Sequence, residues 1–169
     1  MKKALLAAGL LLFAGLSLNA GVKFALKPSL SPDAKYIYFS FNGDIYRVAR
    51  DGGEALSVIS TKGYDNNPVI SPDGKWIAFS SDLDGNSNVY VTPVQGGEIK
   101  QLTWSDVSDI PVSWAVDSKS IYIESGRYNQ VTTYVLPITG GTPSRLFGDF
   151  FNTVTSLSEN PKTGSYIFI

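Results

Sequence analysis

Short runs of aromatic and β-branched residues, each introduced by a polar turn, return at regular intervals along this chain. Tyr36-Ile37-Tyr38-Phe39 follows Ser31-Pro32-Asp33-Ala34-Lys35, and Trp76-Ile77-Ala78-Phe79 follows Ser71-Pro72-Asp73-Gly74-Lys75. Ser120-Ile121-Tyr122-Ile123 in turn follows Ala115-Val116-Asp117-Ser118-Lys119. Runs of this composition suit a pleated, buried surface. Before them, Pro fixes φ, and Asp-Gly supplies the positive φ of a tight hairpin. The best-preserved unit reads as four strands, Pro68–Ser71, Trp76–Ser80, Asn88–Val94 and Ile99–Thr103. Turns at 72–75, 82–86 and 95–97 separate them. No stretch beyond residue 20 carries a helical period.

Two further markers keep the same register. Tyr46, Tyr90 and Tyr134 are spaced by 44 and 44, and Gly52-Gly53, Gly96-Gly97 and Gly140-Gly141 repeat the interval. A four-stranded antiparallel unit of about 40–45 residues, repeated, is the signature of a β-propeller blade. The expected fold is therefore all-β, a partial β-propeller of about three and a half blades. The blades fall roughly at 27–60, 68–103 and 111–147, with a partial one at 153–169 whose Tyr166-Ile167-Phe168-Ile169 matches Tyr36 to Phe39. Propellers close with about 4–8 blades, and an arc leaves apolar sheet faces in water. On that ground the chain is expected to be the N-terminal piece of a longer protein.

The first twenty residues read as an address. Met1-Lys2-Lys3 gives a positive start, Ala4 to Leu16 an apolar run, and Ser17 and Ala20 the small residues of a cleavage site. This is the pattern of a secretory signal peptide cleaved after Ala20, which implies a periplasmic or secreted protein with no membrane association after cleavage. The run is shorter than the ~20 apolar residues that span a bilayer.

Composition narrows the chemistry. With 14 Lys+Arg against 15 Asp+Glu, the chain lacks the basic excess of a nucleic-acid surface. It contains no His and no Cys, so it can build neither a Ser-His triad nor a thiolate nucleophile. Asp82-Leu83-Asp84-Gly85-Asn86-Ser87-Asn88 places oxygen ligands at alternating positions, as a calcium loop does. Gly stands fourth rather than sixth, however, and Pro93 occupies the place of the twelfth-position Glu, so a hairpin explains the segment without a metal. Ser31/Asp33 and its repeats suggest a catalytic pair only until their recurrence is noted: every blade must remake a turn, whereas an active site is made once. Lys35, Lys75 and Lys119 recur in the same way and are read as solvating the turn.

The unit resembles the WD40-like repeat of TolB and of tricorn-type peptidases, worded S-P-D-G-K-x-I-A-F, then G-x-x-x-I-Y and G-G. Ser71 to Thr103 fits it almost throughout, the first blade fits with Ala34 in place of Gly, and the third has lost both Pro and Gly from its turn. Repeats begin within about ten residues of the signal, leaving no room for the separate α/β domain that TolB carries there. Gly43-Asp44-Ile45-Tyr46, Gly52-Gly53-Glu54-Ala55 and Gln101-Leu102-Thr103-Trp104 also look like the opening blades of exported tricorn-like peptidases. The resemblance implies a non-catalytic N-terminal propeller portion of an exported tricorn-like serine peptidase, gating or binding peptide substrates. The alternatives are a periplasmic TolB-like scaffold that binds protein partners without catalysis, and the propeller of a prolyl-oligopeptidase-like enzyme. The resemblance transfers no catalytic, cofactor-binding or metal residue onto these positions. The expected partner is a peptide or protein ligand at the propeller face, with oligomers open to the full-length protein.

Function in repeat folds is carried by loops on one face. Here these are the loops joining blades, Thr61–Asn67 and Trp104–Asp109, and those joining second to third strands, Phe41–Asp44, Ser81–Ser87 and Glu124–Gln130. Their charged residues are Lys62, Asp65, Asp82, Asp84, Asp106, Glu124 and Arg127, with solvated loop charge as the competing reading. Trp76 and Trp114, on strands, are expected to pack between blades, and Trp104, past a strand end, is left open between packing and stacking a sugar or peptide. Purified chain is expected to release no product from fluorogenic peptide substrates; sustained turnover that follows the protein through purification would overturn the non-catalytic reading.

Overall fold

The computed structural model describes residues 25–129, 131–147 and 157–168. The signal-peptide reading of residues 1–20 lies outside them, as do Gln130, the start of the fourth blade at Thr153, and Ile169. The first sheet is built from β1 (Leu26–Leu30), β2 (Tyr36–Phe41), β3 (Asp44–Ala49) and β4 (Leu56–Ile59). The second comprises β5 (Asn66–Ile70), β6 (Trp76–Ser81), β7 (Asn88–Pro93) and β8 (Lys100–Gln101). The third comprises β9 (Asp109–Trp114), β10 (Ser120–Ser125), β11 (Thr132–Pro137) and β12 (Ser144–Arg145). In each, the strands pair antiparallel in chain order, and β13 (Leu157–Glu159) with β14 (Tyr166–Phe168) forms a two-stranded start to a further unit. Inner strands β1, β5 and β9 lie side by side, and β13 adjoins β9. These are the blades of an unclosed propeller arc.

The Ser-Pro-Asp turn shows why the motif recurs. In the second blade Ser71 Oγ donates to Asp73 Oδ1 at 2.6 Å and accepts from Trp76 N at 3.0 Å, while Lys75 N donates to Asp73 Oδ1 at 3.1 Å. Ser31 and Asp33 repeat the arrangement in the first blade, with Ser31 Oγ to Asp33 Oδ1 at 2.7 Å and Tyr36 N to Ser31 Oγ at 2.9 Å. The Ser hydroxyl holds both Asp33 and Asp73 below the ordinary carboxylate range. The third blade, with Ala115 in place of Ser, keeps only Lys119 N to Asp117 Oδ1 at 2.9 Å. Each Ser and Asp is spent on a turn.

All four strands of the second blade end or begin a residue or two away from the sequence reading, and two of the differences have local reasons. Strand β5 starts at Asn66 because Asn67, at φ 52, forms a bulge that keeps Asn66 opposite Ser80. Strand β8 is only two residues long because Val89 N donates to the Thr103 side chain at 3.0 Å, in place of a ladder carbonyl.

The core lies between blades. Along β6, Ile77 and Phe79 enter a cluster with Tyr38, Ile45, Ile59 and Tyr90, while Ala78 on the opposite face joins Val89, Val91, Leu102, Trp114, Ile121, Ile123, Tyr134 and Leu136. A strand with period-two side chains buried on both faces needs a neighbour on each side. Full burial of a residue such as Phe79 contributes about 1.5–3 kcal/mol. The recurring Tyr stands across the ladder from the second strand, and Phe79 and Tyr90 stack at 5.7 Å as Phe39 and Tyr46 do at 6.0 Å. Polar bonds stitch the interfaces: Trp114 Nε1 donates to Val69 O at 3.0 Å and Asp73 N to Ser118 Oγ at 3.1 Å. At the last junction Glu159 accepts from Tyr122 Oη at 2.9 Å and Val116 N at 3.1 Å.

The fourth turn position is left-handed in all three blades, with Ala34 at φ 55, Gly74 at φ 71 and Ser118 at φ 60. A β-carbon costs ~1–2 kcal/mol in this region, partly offset by the greater freedom glycine loses on folding. Nothing lies within 4 Å of a Cβ built on Gly74, so the penalty there is conformational alone. Ala34→Gly is expected to stabilise the chain by about 0.5–1 kcal/mol and Gly74→Ala to destabilise it by a similar amount, read from urea unfolding midpoints.

Candidate functional site

The loops singled out from the sequence gather at one end of the arc and brace one another. Asp65 N donates to Gly43 O and, 44 residues on, Asp109 N donates to Ser87 O, both at 2.8 Å, so each strand-connecting loop of one blade is tied to the start of the next. Both carboxylates are buried. Asp65 accepts from Thr61 N at 2.8 Å and Thr61 Oγ1 at 2.7 Å, and Asp109 is ion-paired with Arg127. Gly63 sits so close to the neighbouring loop that a Cβ there would lie 2.5 Å from Leu83 N, a contact only glycine permits.

The remaining loop charges divide. Asp82 Oδ1 accepts from Tyr64 N at 2.6 Å, and Asp84 Oδ2 accepts from Tyr90 Oη at 3.2 Å. Burial, with Asp84 adding to it, pushes the Tyr90 phenol up to about 12. The oxygen-rich segment is thus engaged in hairpin and strand contacts, and the described residues contain no group of three acidic or metal-binding side chains that could hold an ion. Lys62 and Asp106 are exposed.

Glu124 is different. It is half-buried at the loop end of β10, opposite Ile110 of β9, and its Oε1 is buried without a hydrogen-bond partner. It lines a cavity of about 610 Å³ along the inner strands, with Lys27, Pro28, Asn66, Asn67, Ile110, Pro111 and Leu157 among the other walls. Lys27 and Asn67, at φ 50 and 52, are the bulge residues of β1 and β5. Burial raises the Glu124 carboxyl above its ordinary value, and Lys27 opposes the rise. Chemically, the cavity offers an acceptor of a cation or N–H group and amide side chains, in the size range of small-ligand pockets.

Sequence reasoning singled out Glu124 and Arg127, reached Asp109 and Asn67 only as the ends of candidate loops without assigning them a part, and missed Lys27. The 44-residue interval between Asp65 and Asp109 was the available signal for Asp109. The bulges left none. Trp114 is buried and Trp76 packs against the same cluster, whereas Trp104 is 72% exposed.

Four-stranded blades with adjacent inner strands around an axial cavity define the β-propeller class. Residues 23–146 match the family described as the tricorn protease N-terminal beta propeller domain. The chain belongs to that family. It is 30% identical over 138 residues to tricorn protease homolog 1 of Streptomyces coelicolor, a match covering 78% of this chain and 12% of that protein. In fold it is similar to TolB from Acinetobacter baumannii, with a TM-score of 0.68, 22% identity, and 86% of this chain and 40% of that one covered. The crystal structure of the tricorn protease gives a TM-score of 0.68 at 19% identity, covering 85% of this chain and 15% of that one. The chain thus spans about an eighth of the length of this curated relative.

A carboxyl group raised by folding contributes stability that is fully present below its unfolded value, near 4.5, and is lost as pH rises through the folded one. Glu124→Gln removes that loss. The variant is expected to melt higher than the parent at pH 7 and to converge with it in acid below the ordinary Glu range, as a thermal-melt series across pH will read.

Proposed function

We propose that this chain is the non-catalytic propeller portion of an exported tricorn-like serine peptidase and that it gates or binds peptide substrates at its loop face. The observation that carries the reading is the cavity along the inner strands, together with membership of the tricorn N-terminal propeller family. Among the described residues Glu124 is the only carboxylate on its walls, and its oxygen without a hydrogen bond suits the ammonium or amide N–H of an entering peptide. Asn66 Oδ1 and Asn67 Nδ2 are bonded to Asn67 N and Ser80 Oγ, which leaves the Asn66 Nδ2 and Asn67 Oδ1 ends of these amides on the cavity wall. Lys27 adds a cation that can meet a peptide carboxylate or carbonyl. Export is part of the proposal and rests on the pattern of residues 1–20.

A second reading has its own support. The likeness to TolB in fold favours a periplasmic scaffold that recruits protein partners through the same face without chemistry. The two differ in what fills the cavity, a peptide end in the first case and a folded surface over the loops in the second.

Fluorescence anisotropy with a labelled pentapeptide separates them. A free amino terminus is expected to bind measurably, and Nα-acetylation or Glu124→Gln to weaken binding about tenfold, the cost of one charge-assisted hydrogen bond. Equal affinity of free and acetylated peptides for parent and variant would count against the cavity as a peptide site.

A further inference from the structure

The face that carries the axial cavity also carries a second, outer recess. Trp104 is 72% exposed and Tyr128 77% exposed, and both line a cleft of about 360 Å³ with Ser105, Asp106, Val107, Gly126 and Arg127. A further recess of about 260 Å³ shares Trp104 and Arg127 with this cleft and is walled by Leu102, Gly141 and Pro143. Trp104 thus lines two adjoining slots.

Both rings rest on braced backbone. Asn88 Oδ1 accepts from Ser105 N at 2.9 Å and from Thr103 Oγ1 at 3.1 Å, so the residues on either side of Trp104 are tied to one buried side chain. Tyr128 follows Arg127, whose guanidinium is held by Asp109 and whose carbonyl accepts from Tyr134 Oη at 3.3 Å. Tyr128 itself is left-handed, at φ 59 and ψ 34, a conformation that a bulky residue adopts only under constraint from its surroundings. Two large aromatics presented to water on fixed backbone form a surface organised before any ligand arrives.

The uncommitted groups decide what kind of ligand fits. Arg127 is neutralised by Asp109, the Ser105 hydroxyl accepts from Val107 N, and Arg145 lies over the Tyr128 ring at 5.6 Å. Asp106 is exposed and has no hydrogen bond or ion pair among the described residues. A sugar needs several unengaged polar side chains around its hydroxyls. With Ser105 and Arg127 already bonded, Asp106 is the one charged group of the cleft left without a partner among the described residues. Flat rings flanking adjoining slots suit the pyrrolidines of a polyproline II segment, which docks on aromatic-lined grooves with little entropy to lose. The free Asp106 carboxylate complements a basic residue beside them.

We propose that the Trp104–Tyr128 cleft is a binding site for a proline-rich peptide segment carrying a basic residue, with the prolines in the two slots and the cation at Asp106. This deepens the peptide-binding reading above and rests on it, assigning to the propeller a preference that the axial cavity does not supply.

The test uses the full chain and a labelled decapeptide of prolines with one central arginine, compared with the same peptide having alanine at each proline. The proline peptide is expected to bind, and Trp104→Ala and Tyr128→Ala each to weaken it at least about tenfold, as loss of an aromatic anchor does. Trp104→Phe is expected to retain most of the affinity, and raised salt to erode only the arginine's share. Circular dichroism of each variant guards against misfolding, which exposed positions should not provoke. Equal binding of the alanine peptide, indifference to both aromatic substitutions, or preference for an oligosaccharide such as maltohexaose would overturn the assignment. If the proline peptide fails while the free-amino peptide still binds with Glu124 dependence, this inference falls alone; if neither peptide binds, both readings fall.

Discussion

Each four-stranded sheet in this protein carries apolar side chains on both faces, and the architecture follows from that one constraint. Ile77 and Phe79 point one way from β6 while Ala78 points the other, and both sets lose their water only because another blade lies against each face. The outer face of the first sheet shows the alternative, with Leu30 and Phe41 left partly in water. Sheets stacked by their faces fan around the strands at their inner edge. The axial cavity is the space those strands leave.

Stacking alone would let blades slide. The polar bonds across each junction supply the register: Asp65 to Gly43 and Asp109 to Ser87 at the loop end, Ser118 to Asp73 at the turn end, and Trp114 to Val69 between them. Removing either partner of such a buried bond leaves the other unsatisfied, which costs more than the bond itself contributes. The Arg127–Asp109 pair has a further consequence. It joins the strand that walls the axial cavity to the loop that presents Tyr128, so the two recesses of the face share one brace.

Much of the fold was legible because a repeat writes the same physical demand several times. The Ser-Pro-Asp turn, the stacked Tyr and the paired glycines each solve a local problem within a few residues, and local solutions leave local marks. The candidate site was legible only as a set of loops. Asp65 and Asp84, singled out as loop charges that either function or are simply solvated, turned out to be bonded within the protein, while among the described acids Glu124 alone came to line the axial cavity. Trp104 and Trp114 look alike in sequence, ten residues apart, yet one is buried with its indole bonded to Val69 and the other stands in water.

By itself the chain's pattern determined the strands, their antiparallel order within each blade, the all-β class and the end at which the loops gather, because pleat period and turn geometry act over neighbouring residues. Only the tertiary structure decided which charges are paired, which carboxylate has an oxygen buried without a hydrogen bond and which aromatics face solvent. Those outcomes depend on what a neighbouring blade brings to within about 3 Å, the reach of a hydrogen bond, and that neighbour lies some forty residues away along the chain.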